Sequence, residues 1–234
     1  MRNTRAEISE LFSSIQGEGI FLGARQIFIR FKRCNLNCVF CDEPRNLRPV
    51  SYTSAELLAE VKSLDARKGP HHSVSLTGGE PLLYHDFLKI FLPLLKRAGF
   101  KSYLETNGTL PDELSKVIDL VDIIAMDFKL PSSTGERAFW KEHLKFLRVS
   151  SKKNVFVKAV VTPATKNEDI EKAIAIIKKV NKEISLILQP ATPVKPDEAD
   201  IDKYRLLELL EIGTRKNLLN VRVIPQIHKM LGVK

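Results

Sequence analysis

The sequence predicts an α/β fold in which a parallel sheet, shaped as a barrel or partial barrel, is covered by helices. Short β-branched or apolar runs alternate with amphipathic helical patterns about six times along the chain. No Gly-x-Gly-x-x-Gly turn follows the first run, which disfavours a dinucleotide-binding sheet. At 234 residues the chain is shorter than the ~250 residues that eight βα units usually need, so we expect an incomplete barrel.

Seven apolar or β-branched runs are predicted to be the strands. They cover residues 26–32, 73–77, 102–105, 123–127, 155–161, 185–189 and 221–224. Nearly continuous apolar runs of this length are typical of parallel strands that are buried on both faces.

Helical patterns fill the intervals between these strands. The first begins at Thr53 or Ser54, either of which can cap it, and Glu56 lies in its favourable first turn. Its apolar face is formed by Leu57, Leu58, Val61 and Leu64. Five more are predicted, one from Asp86 to just before Gly99, one from Pro111, one over 136–147, one from Asn167 and one over 200–214. We see no linker between them, so residues 1–234 are predicted to form a single domain.

Composition indicates a globular protein with a sizeable core, since 44% of the residues are hydrophobic and 28% are charged. The N-terminal residues contain no apolar signal core, and no apolar run approaches the ~20 residues of a membrane helix. We therefore expect a cytoplasmic protein with no membrane partner. The net charge of +9 would suit nucleic acid, but most lysines alternate with acidic residues on predicted helix faces, which favours a solvated surface and no nucleic-acid partner.

All three cysteines lie in one short segment, Cys34-Asn-Leu-Asn-Cys38-Val-Phe-Cys41. A structural zinc site or a closed iron–sulfur cluster takes four protein ligands, whereas three thiolates can hold a 4Fe-4S cluster and leave one iron open for chemistry. Three alternatives remain: buried free cysteines, a zinc site completed by His71 or His72, and disulfides, which the odd count disfavours.

Polar residues follow five of the predicted strands. They are the cysteine loop, Thr77-Gly-Gly-Glu-Pro81, Glu105-Thr-Asn-Gly-Thr109, Asp127-Phe-Lys129 and Gln189-Pro190. Ligands of parallel α/β folds bind beyond the carboxyl ends of the strands, so we expect these segments to form one site. The basic residues Arg25, Arg30, Lys32 and Arg33 directly precede the cysteines and would suit an anionic small molecule.

The spacing Cys34-x3-Cys38-x2-Cys41, followed by Thr-Gly-Gly-Glu-Pro, resembles the radical S-adenosylmethionine (SAM) superfamily. The resemblance implies a partial (β/α)6 barrel, a 4Fe-4S cluster on the three cysteines, and SAM chelated to its open iron and split into methionine and a deoxyadenosyl radical. It also implies that the glycines let backbone carbonyls approach the methionyl ammonium. The cofactor-binding residues that it implies are Phe40, Cys41, Asp42, Gly79, Glu80, Asn107, Asp127, Phe128, Lys129, Gln189 and Pro190.

Four other segments resemble the 7-carboxy-7-deazaguanine synthase family. They are Ser13-Ser-Ile-Gln-Gly-Glu-Gly19, Phe28-x-Arg30, Asp127-Phe-Lys-Leu-Pro-Ser-Ser133 and Arg222-Val-Ile-Pro-Gln-Ile-His-Lys229. The members of that family are lyases that act in the synthesis of queuosine and archaeosine precursors. They convert 6-carboxy-5,6,7,8-tetrahydropterin to 7-carboxy-7-deazaguanine with loss of ammonia. The resemblance implies catalytic roles for Gln16, Glu18, Arg30 and His228. It implies substrate contacts, partly from terminal extensions of the domain, by Ile15, Gln16, Gly17, Arg30, Thr77, Gln226, His228 and Lys234.

The same resemblance implies Mg2+, a flavodoxin- or ferredoxin-type reductant, and a homodimer. The family's Mg2+ ligand is a Thr directly after the Cys-Asp pair, and this chain has Glu43 there. Glu43 can either bind the metal or pair with a cation such as Arg45. Two other functions remain open: a glycyl-radical-enzyme activase or other radical SAM enzyme, and a non-enzymatic zinc or nucleic-acid-binding module.

Overall fold

The computed structural model describes residues 4–44, 46–193 and 199–234, which contain one nine-stranded sheet. The order of its strands is β3-β1-β2-β4-β5-β6-β7-β8-β9. The strands are β1 (Arg5–Ile15), β2 (Arg25–Phe31), β3 (Val50–Thr53), β4 (Ser73–Gly78), β5 (Ser102–Thr106), β6 (Ile123–Asp127), β7 (Asn154–Val161), β8 (Leu186–Pro190) and β9 (Val221–Val223).

In the described part of the chain, seven α-helices lie between the strands that follow β2, and an eighth follows β9. They are α1 (Ser54–Lys68), α2 (His85–Arg97), α3 (Pro111–Ser115), α4 (Pro131–Thr134), α5 (Trp140–Ser150), α6 (Asn167–Val180), α7 (Lys203–Arg215) and α8 (Ile227–Met230). From β2 to β9 each neighbouring pair of strands is parallel. The strand order does not return to its start, so the sheet stays open and the predicted partial barrel of six βα units is confirmed.

An antiparallel N-terminal addition to the sheet was absent from the sequence prediction. Strand β1 pairs with β2 from Ile8↔Phe31 to Ile15↔Arg25, and its other edge pairs with β3. A register shift between Ile8 and Glu10 interrupts the alternation of polar and apolar residues, which hides the strand in the sequence. The strand starts beside the carboxyl end of β2, where Ile8 faces Phe31, and ends beside its amino end, where Ile15 faces Arg25.

Local signals place most helix ends correctly. Of the two predicted caps, Thr53 is the one that caps α1, and it does so through a reciprocal capping box with Glu56. The helix predicted over 136–147 instead begins at Trp140, because the short α4 comes first and ends at Gly135 with a left-handed φ of 73°. No helix within the described ranges combines the length and apolar composition needed to cross a membrane.

The inner face of the barrel has an apolar layer below a polar one. Tyr103, Ile123, Ala125, Phe156 and Ile187 form a separate buried cluster with Phe21 and Ile224 packed against it. Side chains alternate between the two faces of a strand, so the residues two positions further along share this inner face. The next residues of that parity are Glu105, Asp127, Lys158 and Gln189. The apolar cluster is therefore the floor of a polar space at the carboxyl edge.

Candidate active site

A cavity of about 460 Å3 occupies the carboxyl edge of the sheet. Its lining brings together nearly all the residues that the sequence predicted: Ile15, Gln16, Gly17, Glu18, Arg30, Cys34, Cys38, Phe40, Cys41, Asp42, Glu43, Thr77, Gly79, Asn107, Asp127, Lys129, Gln189, Gln226, His228 and Lys234. Glu80, Phe128 and Pro190 are absent from the lining. Five loops, the turn at residues 15–18 and the C-terminal segment thus contribute to one site.

The cysteine loop is held against the bare backbone of Gly79. The Gly79 amide donates to the Phe31 carbonyl at 2.8 Å, and the Glu80 amide donates to the Arg33 carbonyl at 2.7 Å. A Cβ at position 79 would overlap the Arg33 carbonyl. This close approach gives Gly79 a role that the sequence interpretation did not include, since its backbone receives the start of the loop as well as facing the cavity.

Glu80 has a structural position that differs from the expected cofactor contact. Its side chain is fully buried and accepts hydrogen bonds from the Leu82 amide, the Asn107 amide and the Thr106 hydroxyl at 2.8–3.0 Å. Burial raises the pKa of Glu80 to about 7, against these hydrogen bonds. The carboxyl group therefore ties the end of β4 to the end of β5.

Phe128 and Pro190 also differ from the predicted cofactor contacts. Phe128 follows Asp127, so its side chain takes the opposite direction and is buried in a stack on the His143 ring at 4.6 Å between centroids. Pro190 likewise follows Gln189, whose side chain lines the cavity. Both residues can support the site only through their neighbours or backbone.

Asn107 lines the cavity and also fixes the cysteine loop. Its amide nitrogen donates to Asn35 Oδ1 at 2.8 Å, and its amide oxygen accepts from the Thr109 hydroxyl at 2.6 Å. Asn35 in turn donates to the Thr109 hydroxyl at 2.9 Å. This three-residue network adds a second anchor between the cysteine loop and the end of β5.

The three thiols fit an iron–sulfur cluster better than a zinc site completed by histidine. All three line the same cavity, whereas His71 and His72 lie before β4, where the His72 amide bonds the Arg25 carbonyl at the start of β2. The His71 ring is already held by Asp65 and Ser13 at 2.7 Å each. The alternative with His71 or His72 as fourth ligand is therefore wrong.

The thiol set is soft and cavity-facing, as a cluster requires. Burial raises the pKa of Cys38 to about 11 and also raises that of Cys34, so a bound metal would have to hold the thiolates. Within the described ranges no three candidate ligands yet stand at metal-binding distances. The loop therefore supplies three sulfur ligands that all face the cavity.

Two buried oxygen atoms in the lining indicate a ligand with hydrogen-bond donors. Asp127 Oδ1 and Gln189 Oε1 have no hydrogen-bond partner among the residues that the structure describes. An unsatisfied buried acceptor is costly, so such atoms are commonly completed by a ligand or water. The other oxygen of Asp127 pairs with Lys129 at 2.8 Å, and the Lys129 ammonium lies 5.5 Å from the Phe40 ring centroid. The two unpartnered oxygens can therefore accept hydrogen bonds from a ligand in the cavity.

Gln16 lines the cavity, but its side chain is already hydrogen-bonded to other residues of the protein. The amide nitrogen donates to Gln26 Oε1 at 3.0 Å and to Glu105 Oε1 at 3.1 Å, while the amide oxygen accepts from the Glu18 amide at 3.0 Å. Gln16 therefore orients the turn that carries Glu18. A ligand would meet chiefly the backbone here.

Arg30 is held between two acidic side chains. Its Nε lies 3.2 Å from Glu10, its Nη1 forms a close ion pair with Glu43, and its guanidinium lies 5.5 Å from the Phe12 ring centroid. Glu43 thus pairs with Arg30; its expected alternative partner, Arg45, lies outside the described residues. Of the basic segment before the cysteines, Arg30 and Lys32 line the cavity, whereas Arg25 and Arg33 do not.

The C-terminal segment closes one side of the cavity against the N-terminal turn. The Ile227 amide donates to the Gly17 carbonyl at 3.0 Å, and the His228 ring packs so tightly on Gly17 that a Cβ there would overlap it. Lys234 pairs with Glu10, and its ammonium lies 4.9 Å from the Phe12 ring centroid. These contacts bring the predicted Gln226, His228 and Lys234 into the site.

Lys158 and Glu105 are cavity residues that sequence reasoning missed. Lys158 is a charged residue inside the apolar run of β7, and Glu105 was treated only as part of a polar strand end. A lone lysine in a buried strand is itself a signal, because such a cation needs a partner. Each stands two positions after a residue of the apolar floor, and this alternation along the strand would have placed both side chains inside the barrel.

Comparisons with known proteins agree with this geometry. A model of the radical SAM superfamily matches residues 28–190. The chain is 41% identical to 7-carboxy-7-deazaguanine synthase from Geobacter sulfurreducens over 99% of both chains. It is 34% identical to the synthase from Methanothermobacter thermautotrophicus over 98% of both chains.

Solved structures share the fold. QueE from Escherichia coli is 23% identical, with a TM-score of 0.63 over 95% of this chain and 94% of that one. TYW1 with a lysine–pyruvate adduct bound is 15% identical, with a TM-score of 0.55 over 81% of this chain and 73% of that one. At these identities the likeness concerns the fold alone.

Gly79→Ala should displace the cysteine loop, because its Cβ would overlap the Arg33 carbonyl. We expect iron and sulfide content after anaerobic reconstitution to fall severalfold. Gly99→Ala is the control: Gly99 has a φ of 88° and open space around its Cα, so its substitution should cost ~1 kcal/mol of unfolding free energy with full cluster loading. Equal loading of the two variants would contradict the role of Gly79.

Proposed function

The chain belongs to the radical SAM superfamily and, within it, to the 7-carboxy-7-deazaguanine synthase family, and we propose that it converts 6-carboxy-5,6,7,8-tetrahydropterin to 7-carboxy-7-deazaguanine with loss of ammonia. The observation that carries this proposal is the meeting of the three-cysteine loop with the turn at residues 15–18 and the C-terminal segment at one cavity. Its volume of about 460 Å3 lies in the ordinary range for small-molecule sites. A radical enzyme with a protein substrate would need a more open site.

The cofactor side of the cavity is formed by the cysteine loop and the ends of β4 to β8. When bound, the cluster and SAM supply the one-electron cleavage that begins radical chemistry. Cys34, Cys38 and Cys41 would hold the cluster, and the unpartnered oxygens of Asp127 and Gln189 would accept hydrogen bonds from SAM. Fixing the donor and acceptor in one enclosed complex favours reaction over loss to water.

The substrate side is formed by the N-terminal turn and the C-terminal segment. Arg30 provides a guanidinium for the substrate carboxylate, and Glu18 provides a carboxylate for its N–H groups. Gln226 and His228 complete this wall, with Lys234 at its margin. Because the N-terminal turn and the C-terminal segment meet at one small-molecule site, the structure is consistent with the proposal of a single domain over residues 1–234.

We further propose that a flavodoxin- or ferredoxin-type protein delivers the electron at the cysteine loop. Val39 in that loop is 73% exposed, so the loop reaches the protein surface beside the cavity. A homodimer remains a proposal that the family membership supports.

The Glu43 carboxylate is a poor candidate for a free Mg2+ ligand, because it is engaged by Arg30. The ion pair instead fixes Arg30 between Glu10 and Glu43, where its third guanidinium nitrogen, Nη2, can meet the substrate.

The central test is product formation by the anaerobically reconstituted protein with the pterin, SAM and a reductant. We expect 7-carboxy-7-deazaguanine, identified by chromatography and mass spectrometry, in multiple turnovers per SAM. A glycyl-radical-enzyme activase would give no such product and would instead place a radical on a protein substrate. Zinc, without iron or sulfide, in the anaerobically purified protein would favour the non-enzymatic alternative.

Replacement of any one of Cys34, Cys38 or Cys41 by Ala should abolish deoxyadenosine formation, because two thiolates cannot hold the cluster in register. The circular dichroism of the barrel should persist, since all three side chains lie at the cavity rather than in the core. Val39→Ala in the same loop is the control and should retain activity. A cysteine variant that still turns over would contradict the assignment.

Glu43→Thr should change the dependence of turnover on Mg2+, because it removes the partner of Arg30 and introduces a neutral oxygen ligand. We expect the unsubstituted protein to be nearly insensitive to Mg2+ after chelation, and E43T to be activated by it. Glu43→Gln, which breaks the ion pair without a hydroxyl, is the matched control. Superimposable Mg2+ titrations of all three proteins would show that residue 43 has no part in metal use.

A further inference from the structure

A buried lysine joins the two sides of the cavity. Lys158 projects from β7, and only 11% of its side chain is exposed. Its ammonium forms a close ion pair with Glu18 and lies 3.9 Å from Asp127 Oδ2. Burial opposes its charge, but these two carboxylates raise the pKa of Lys158 above its ordinary value. Lys158 therefore stays a cation and is unsuited to give up a proton during turnover.

Glu18 depends on Lys158 more than Asp127 does. Asp127 also has Lys129 at 2.8 Å, whereas the other hydrogen-bond partner of the Glu18 carboxylate is the neutral Gln226 amide, at 2.8 Å. Asp42, from the cysteine loop, adds a repulsive charge near Glu18. Although burial opposes ionisation, Lys158 lowers the pKa of Glu18. Removing the ammonium would leave Glu18 as a buried carboxylate without a cationic partner.

Other titratable groups also face Glu18. The His228 ring, from the C-terminal segment, interacts electrostatically with it, and burial lowers the pKa of His228. Tyr103, from β5, lies below and has its pKa raised by burial. Glu105, also from β5, interacts with Lys158. His228 is thus largely neutral above pH 7, and Tyr103 does not titrate there. Glu80, whose pKa is about 7, titrates at the lower end of the range from pH 7 to 9 in every variant, so Glu18 is followed as the difference between variants.

We propose that Lys158 is a positioning residue that fixes the Glu18 carboxylate as the anionic hydrogen-bond acceptor for the N–H groups of the substrate. This inference rests on the proposed synthase function. Because Asp127 keeps Lys129, the effect of Lys158 is confined to the substrate side. Lys158 thereby determines how tightly the enzyme binds a nitrogen-rich heterocycle, without touching the reacting atoms.

The test is the pH dependence of KM in the reconstituted holoenzyme of Lys158→Met. Without its cation, buried Glu18 has a raised pKa, and the carboxylate form is lost as pH falls through that value. We expect KM for the pterin to rise as pH falls from 9 to 7, by up to ~10-fold for each unit below the new pKa, while that of the unsubstituted enzyme stays flat. KM for SAM should change little in K158M.

Three further variants separate this role from general damage. Lys158→Arg, which keeps the charge, should restore a flat profile, and the surface variant Lys152→Met should match the unsubstituted enzyme. The double variant Lys158→Met with Glu18→Gln should show a raised KM without the added pH dependence of K158M, because position 18 no longer titrates. If K158M does not retain its cluster, Lys158→Gln, which can donate one hydrogen bond without a charge, replaces it.

The outcomes distinguish the inference from the function on which it rests. An unsubstituted enzyme that makes no deazaguanine product would overturn the proposed function. An active enzyme whose K158M variant shows a flat KM profile, or an equal rise in KM for SAM, would overturn the role of Lys158 alone.

Discussion

The approach of the cysteine loop to the backbone of Gly79 is the contact on which the site depends. The loop must leave β2, cross the end of β4 and still present three thiols to the interior, and only a residue without a side chain allows that approach. The paired hydrogen bonds from Gly79 and Glu80 then fix the crossing, and buried Glu80 carries the same constraint to β5. The ends of β2, β4 and β5 are thereby held in one arrangement around the sulfur atoms of the three cysteines.

Charge divides the cavity that this contact creates. Asp127 and Lys129 form one charged group in its lining, and Glu18 forms another with Gln226. In the proposed function, the first group belongs to the cofactor side and the second to the substrate side. Buried ion pairs of this kind seldom add much stability, because desolvation offsets the attraction between the charges. Their value here is directional: each carboxylate and ammonium is held at one orientation before a ligand arrives, which reduces the reorganisation that the reaction requires.

The sequence predicted much of the fold and the location of the site, since parallel strands bring successive loops to one edge whatever their detailed packing. The sequence did not reveal features that depend on the direction of a side chain within a strand or on contacts between distant segments. The resemblance implied a cofactor contact at Phe128, and the motif does not show that strand alternation turns its side chain onto His143. Lys158 was passed over inside an apolar run, and Glu43 pairs with Arg30, a residue thirteen positions earlier, only because β2 and the cysteine loop bring them together. Strand β1 was hidden by its register shift.

The central claim is that three cysteines leave one iron of the cluster for SAM. The most direct measurement is electron-nuclear double resonance on the reduced, reconstituted protein with SAM isotopically labelled at its methionyl amino and carboxylate groups. We predict hyperfine coupling between the label and the cluster, as expected for direct chelation. A reduced 4Fe-4S signal that shows no coupling and is unchanged by SAM would contradict the account, because the fourth iron would then be closed to the cofactor.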